Sequence, residues 1–186
     1  MLHEMVHALG GGMVSADGPQ SAKRIDEALG ERLSTIEECR ADLLGLLFLE
    51  LLSNRGLLPS DLIAAAAVTF VITSVQTLRF GAGDDYARGA AITLTDLIDR
   101  GGGLSVEVEG VLRGVRALAE TVQDIATSGN YRAAGKLIDD CASVPPEIKP
   151  LMPRFEGMPS TWSFFSMLHP DLTDSCAIRA TAALLE

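Results

Sequence analysis

The chain is short of cysteine, of aromatic residues and of positive charge, and each shortage narrows what it can be. Its 186 residues include three cysteines, Cys39, Cys141 and Cys176, widely spaced and without a C-x-x-C pair. An odd, scattered set does not make a disulfide framework, so a reducing, cytoplasmic compartment is the expectation. Aromatics make up 5% of the residues while Ala and Leu runs are long, a bias toward helices over sheets. Lys and Arg number 15 against 25 Asp and Glu, for a net charge of −10. With no run of Lys or Arg to offset that acidity, phosphate backbones are repelled and nucleic acid is not an expected partner. The amino terminus lacks the basic-then-apolar pattern of a signal peptide. The most apolar stretch, LIAAAAVTFVITSV from Leu62 to Val75, is shorter than the ~20 residues of a bilayer span. It reads as a buried core helix, and no membrane partner is expected. The length suits one compact domain with a sizeable core.

Residues 2 to 9 have helical character that the glycines at 10 to 12 end, and SADGP at 15 to 19 is a turn. Helix resumes from Ser21 with a break near Gly30. STIEECRADLLGLLFLELLSNRG then reads as one long helix, Ser34 with Glu37 fitting a capping box and Gly56 lying past its end. Apolar residues on nearly every side from Leu43 to Leu52 mark it as buried. A helix follows from about Ser60 to Leu78, FGAGDD breaks it, and YARGAAITLTDLID makes the next, stopped by the triple glycine at 101 to 103. LSVEVE, 104 to 109, alternates as a short strand does. Helices over about 110 to 127 and YRAAGKLIDDCA follow, then an irregular region with six prolines from Val144 to Pro170, and a last helix at about 174 to 185. The expected fold is mainly α, a compact bundle of long core helices with at most one or two short strands. Residues 1–150 form the main helical domain, and 151–186 a Pro- and aromatic-containing segment with a terminal helix. In that segment Trp162, Phe164 and Phe165 are expected to cap the core, and His169 to be an exposed or capping histidine.

The chemistry begins at HEMVH, residues 3 to 7. Histidines four apart lie on one helical face, so His3 and His7 can each turn a nitrogen to one zinc ion. Glu4 projects about a quarter turn away, able to act as general base without ligating. His3 falls in the first turn of its helix, where backbone donors lack partners and fraying is expected. A third ligand is needed, and EECRAD, residues 37 to 42, offers one. Two adjacent carboxylates heading an apolar helix have two readings. Glu37 caps the helix and Glu38 favours its positive end; or Glu38 ligates zinc, Glu37 and Asp42 hold the imidazoles from behind, and Arg40 balances the charge.

HEMVH followed about thirty residues later by EECRADLLGL resembles the dipeptidyl peptidase III family of zinc peptidases and its bacterial relatives. The family's first motif has two forms, with two or three residues between the histidines, and this chain matches the shorter. EECRAD matches every fixed position of the second motif, E-E-x-R/K-A-D/E, and the likeness continues through RFGAGDDYARGAAITLTDLIDRGG and ATSGNYRAAGKLIDDCA, covering roughly residues 1 to 150. The resemblance implies that His3, His7 and Glu38 bind one zinc ion per chain, that Glu4 is the general base, and that Glu37 and Asp42 orient the histidines. It implies hydrolysis of short peptides, with release of dipeptides from the amino terminus. Where the family carries a histidine that stabilises the reacting carbonyl, this chain has Tyr86, read either as an oxyanion donor or as a packing tyrosine. Arg88 is expected to be a surface or salt-bridging residue. Family members place a long region before the histidine motif that supplies the other wall of the cleft, which implies a separate amino-terminal lobe or an oligomer partner. The competing readings are a truncated or degenerate, non-catalytic helical zinc-binding or interaction domain, and a zinc hydrolase acting on a non-peptide amide.

Overall fold

The structure is a computed structural model describing residues 2–9, 12–14 and 23–155. Among the described residues seven α-helices run in chain order: α1 Leu2–Leu9, α2 Ile25–Leu29, α3 Leu33–Asn54, α4 Asp61–Thr77, α5 Asp85–Gly101, α6 Val108–Ser128 and α7 Tyr131–Cys141. Short 3-10 turns at Gly30–Arg32, Leu78–Phe80 and Met152–Phe155 link or end them. The strands are two-residue pieces, β1 Met13–Val14 and β2 Lys23–Arg24, paired antiparallel with Met13 opposite Arg24 and Val14 opposite Lys23. The fold is the expected mainly α bundle. The turn at 15 to 19, the aromatic cluster at Trp162 to Phe165, His169, Cys176 and the helix at 174 to 185 lie outside the described residues.

The organising element is α3, which packs against α1, α4, α5 and α6. A helix touched from so many sides must be apolar around most of its circumference; Ile36, Cys39, Leu43, Leu46 and Leu49 are all buried. The stretch from Asp61 to Phe80 is long and apolar enough to cross a membrane by length and composition, and half of its most apolar window is buried. It packs as a core helix beside α3, α5 and α6. The core extends to Ile148 and Phe155, both fully buried.

Three local expectations are corrected. LSVEVE forms no strand. Ser105 Oγ accepts from Glu107 N, and the Glu107 carboxylate accepts from the backbone N–H groups of Glu109 and Gly110, so the segment caps α6. Its alternation reflects Leu104, Val106 and Val108 leaning on the core. Ser34 and Glu37 form no capping box, because the chain enters α3 directly from the 3-10 turn and no free helix end exists at Ser34. Nor is α1 loose: Val6 is fully buried, Leu2 packs on the core, and Arg40 Nη2 donates to the Val6 carbonyl.

Two glycines stand where neighbouring backbones meet α3, and at one of them the approach is close enough to need a glycine. At Gly45 a Cβ would lie 3.6 Å from His3 N, so α1 rests close against α3 at the start of the histidine motif. At Gly89 on α5 a Cβ would lie 3.0 Å from Cys39 N and 3.3 Å from Cys39 Cα, which is tighter than a methyl group tolerates. Central-helix backbone cannot yield as a side-chain tip does. Gly89→Val is therefore expected to destabilise the fold by about 2–3 kcal/mol through overpacking. Gly101→Ala, in the same helix with nothing within 4 Å of its Cβ position, should be neutral or stabilising, in line with helix propensity. Paired denaturant titrations check this; equal effects at the two sites would disprove the close-approach account.

Candidate metal centre

The residues of the two motifs meet where α1 lies across the amino-terminal half of α3. His3 and His7 are one turn apart on α1, and Glu38 and Asp42 are one turn apart on α3, so each pair presents one face to the other. His3 Nε2 lies 2.9 Å from His7 Nε2 and 3.2 Å from Glu38 Oε2, and His7 Nε2 lies 3.8 Å from Glu38 Oε1. The two rings meet edge-on, 4.6 Å between centroids at 82°. One donor atom from each of His3, His7 and Glu38 falls within 4.8 Å of the others.

The second nitrogens are turned toward carboxylates. His3 Nδ1 donates to Asp42 Oδ1 at 2.7 Å, and His7 Nδ1 faces Glu37 Oε2 at 3.8 Å. With Asp42 accepting from its Nδ1, the neutral His3 imidazole carries its proton there and leaves Nε2 a lone pair. The two Nε2 atoms, within hydrogen-bond distance of each other, and the Glu38 carboxylate converge on one point. The fit to a small divalent ion is good. For metal–ligand bonds of about 2.0–2.1 Å, a tetrahedral set has edges of roughly 3.3 Å, and the spacings here bracket that figure. Two His and one Glu is also a donor set that zinc takes when it keeps an open position. The hydrogen bond to Asp42 holds the His3 imidazole above its ordinary pKa; burial opposes this, and the charges of Asp42, Glu38 and Glu4 add to it.

Glu37 is itself gripped from behind. Arg40 Nε donates to Glu37 Oε1 at 3.0 Å and Arg40 Nη2 to Glu37 Oε2 at 2.7 Å, and Nη2 also donates to Val6 O at 3.1 Å. Arg40 is 4% exposed. From the sequence this arginine is expected only to balance charge. An obligate cation in the midst of a buried apolar helix was the signal that it has a built environment.

The three converging residues and Asp42 line one side of a cleft of ≈ 900 Å³ between α1, α3, α4 and the segment from Arg79 to Tyr86. Glu4 lines the same cleft and is exposed. Tyr86 lines it too, its ring centroid 6.1 Å from that of His3. Although 44% of Tyr86 is exposed, burial pushes its phenol up to about 12, helped by Asp42 and Glu38 and opposed by a hydrogen bond with Thr77. The hydroxyl therefore remains a proton donor across the physiological range. Thr73, Thr77 and Phe70 of α4 form the facing wall, and no motif flagged them, because their exposure to the cleft follows only from the packing of α4. Arg88 stands away from the cleft as an exposed residue 3.7 Å from Asp85. Cys39, next to Glu38, turns into the core; burial pushes its thiol up to about 12, so it supplies neither nucleophile nor ligand. Cys39 and Cys141 are both free thiols.

No family model matches the chain. Among curated proteins it is similar to Nudix hydrolase 3 of Arabidopsis thaliana, at 25% identity over 161 residues, 83% of this chain and 21% of that protein. Among solved structures it is similar to dipeptidyl peptidase III from Caldithrix abyssi, with a TM-score of 0.76 and 29% identity over 83% of this chain and 31% of that one. It is also similar to dipeptidyl peptidase III from Corallococcus sp. strain EGB, with a TM-score of 0.75 and 26% identity over 82% of this chain and 29% of that one. The chain spans about a fifth of the length of the plant protein and about three tenths of each bacterial chain. Its fold is dipeptidyl peptidase III-like.

Proposed function

We propose that this chain is the zinc-binding catalytic part of a metallopeptidase of the dipeptidyl peptidase III type, acting on short peptides in a cytoplasmic setting. The observation that carries the reading is the convergence of His3, His7 and Glu38 inside an open cleft, with a carboxylate behind each imidazole. Likeness in fold to two dipeptidyl peptidase III chains supports it.

In this reading His3, His7 and Glu38 hold one zinc ion, and Asp42 and Glu37 fix the two imidazoles with Nε2 forward. Zinc bound there supplies Lewis-acid polarisation of a scissile carbonyl and makes water acidic enough to lose a proton near neutral pH. Glu4, one residue from the first histidine and open to the cleft, would act as general base toward the attacking water and pass the proton to the leaving amine. The Tyr86 hydroxyl, kept protonated by its environment, donates a hydrogen bond to the carbonyl oxygen as charge builds on it. The cleft wall opposite α1 positions the peptide. A separate lobe or a second subunit completes the other side.

The competing reading is a helical zinc-binding module without catalysis. Its support is Tyr86, which stands on the cleft where the family that the motifs resemble carries a histidine.

Purified protein is expected to contain about one zinc per chain by elemental analysis, lost in His7→Ala and in Glu38→Ala. Protein that stays metal-free after zinc loading would end the metal-centre reading. Glu4→Gln should keep its zinc yet lose about 10²–10⁴-fold in kcat/KM for dipeptide release, measured by mass spectrometry on a mixed tetra- to octapeptide pool. Stoichiometric zinc with no chelator-sensitive cleavage in the wild-type chain selects the non-catalytic module.

A further inference from the structure

We propose that Arg40 is a positioning residue for the His7 imidazole, acting through Glu37. The inference rests on the metal-centre reading above and adds to it the device that sets one of the ligands.

The two histidines are held differently. His3 has its carboxylate in direct contact, Asp42 Oδ1 at 2.7 Å from Nδ1. For His7 the corresponding distance, Nδ1 to Glu37 Oε2, is 3.8 Å, beyond hydrogen-bond range. Glu37 Oε2 is the carboxylate oxygen that faces His7 Nδ1, and the Arg40 fork sets where that oxygen lies. Two donors, Nε and Nη2, take the two oxygens of Glu37, which fixes both the position and the plane of that carboxylate. The oxygen bonded to Arg40 Nη2 is the same Oε2 that faces His7, so guanidinium and imidazole meet at one carboxylate oxygen.

The third contact ties the arrangement to the backbone of α1. Arg40 Nη2 donates to the carbonyl of Val6, the residue immediately before His7. One side chain on α3 thus fixes both the carboxylate behind His7 and the peptide unit that carries His7. Charge balance alone asks for less, since a lysine ammonium placed nearby would neutralise Glu37. It would not hold the carboxylate plane and the carbonyl together, because an ammonium is a point charge without the planar fork. Burial of Arg40 at 4% exposure also makes the arrangement stiff, as a buried guanidinium pays a heavy desolvation penalty in any position that leaves it unpaired.

The test compares zinc affinity, by chelator competition, and the visible spectrum of the Co²⁺-loaded protein in wild type, Arg40→Met, Arg40→Lys, Glu37→Gln and the Arg40→Met/Glu37→Gln double variant. Thermal melts report the fold separately. Arg40→Met is expected to weaken zinc binding about 10–100-fold, the usual effect of removing a group behind a metal ligand, and to shift the Co²⁺ bands. Arg40→Lys should fall between it and wild type. Glu37→Gln should match Arg40→Met, and the double variant should be no worse than either, because the two residues act in series. Variants that melt earlier yet bind zinc like wild type, with an unchanged Co²⁺ spectrum, would reduce Arg40 to a structural role and overturn the proposal. If Arg40→Met does not fold, Arg40→Lys decides by the same readouts. A wild-type chain that takes up no zinc overturns the metal-centre reading and this one with it. Zinc-binding wild type beside equally tight variants overturns this inference alone.

Discussion

Two imidazoles on an eight-residue helix can meet a carboxylate on a 22-residue helix only where the two backbones run close together, and that contact between α1 and α3 is what the candidate site depends on. A helix as short as α1 is unstable in water on its own, because nucleation costs more than two turns of hydrogen bonds return. It is helical here because α3 offers it a surface. The backbone at His3 rests against Gly45, Val6 is buried at the interface, and Arg40 reaches across to the Val6 carbonyl. Packing and site are therefore one structure: what docks α1 also aims the histidines.

That docking brings a concentration of like charge. Glu37, Glu38 and Asp42 crowd the imidazoles, with Arg40 buried among them. A cluster of this kind is costly for a fold to maintain unless something positive completes it. The arrangement divides the work: the Arg40 fork neutralises and aligns Glu37, and the hydrogen bond from His3 engages Asp42. What remains facing the centre is the pair of Nε2 atoms and the Glu38 carboxylate. The back of α3 is held as firmly as its front is open, with the α5 backbone pressed against Cys39 through Gly89. The segment that carries the carboxylates thus has little freedom to shift.

Much of this was legible in the chain. Helices α3 to α7 lie within a few residues of where their apolar patterning puts them, and the triple glycine does stop α5, with Gly102 at φ 69°. LSVEVE misled because period-two alternation over six residues describes a strand edge and an extended capping segment equally well. The choice lies with Glu107, whose carboxylate captures the first N–H groups of α6. Ser34 and Glu37 misled because a capping box presumes a free helix end, and the preceding 3-10 turn removes it.

By itself the sequence determined the donor set and its local geometry. Spacing of four on a helix places His3 with His7 and Glu38 with Asp42 through the helical repeat alone. Only the tertiary structure decided that these two faces meet, that Glu37 turns to His7 and to Arg40 instead of to a helix end, and that Tyr86 and the threonines of α4 share the same cleft. These are contacts between residues far apart in the chain, 39 positions for His3 and Asp42. No local propensity encodes them; they follow from which apolar faces bury against one another when the bundle closes.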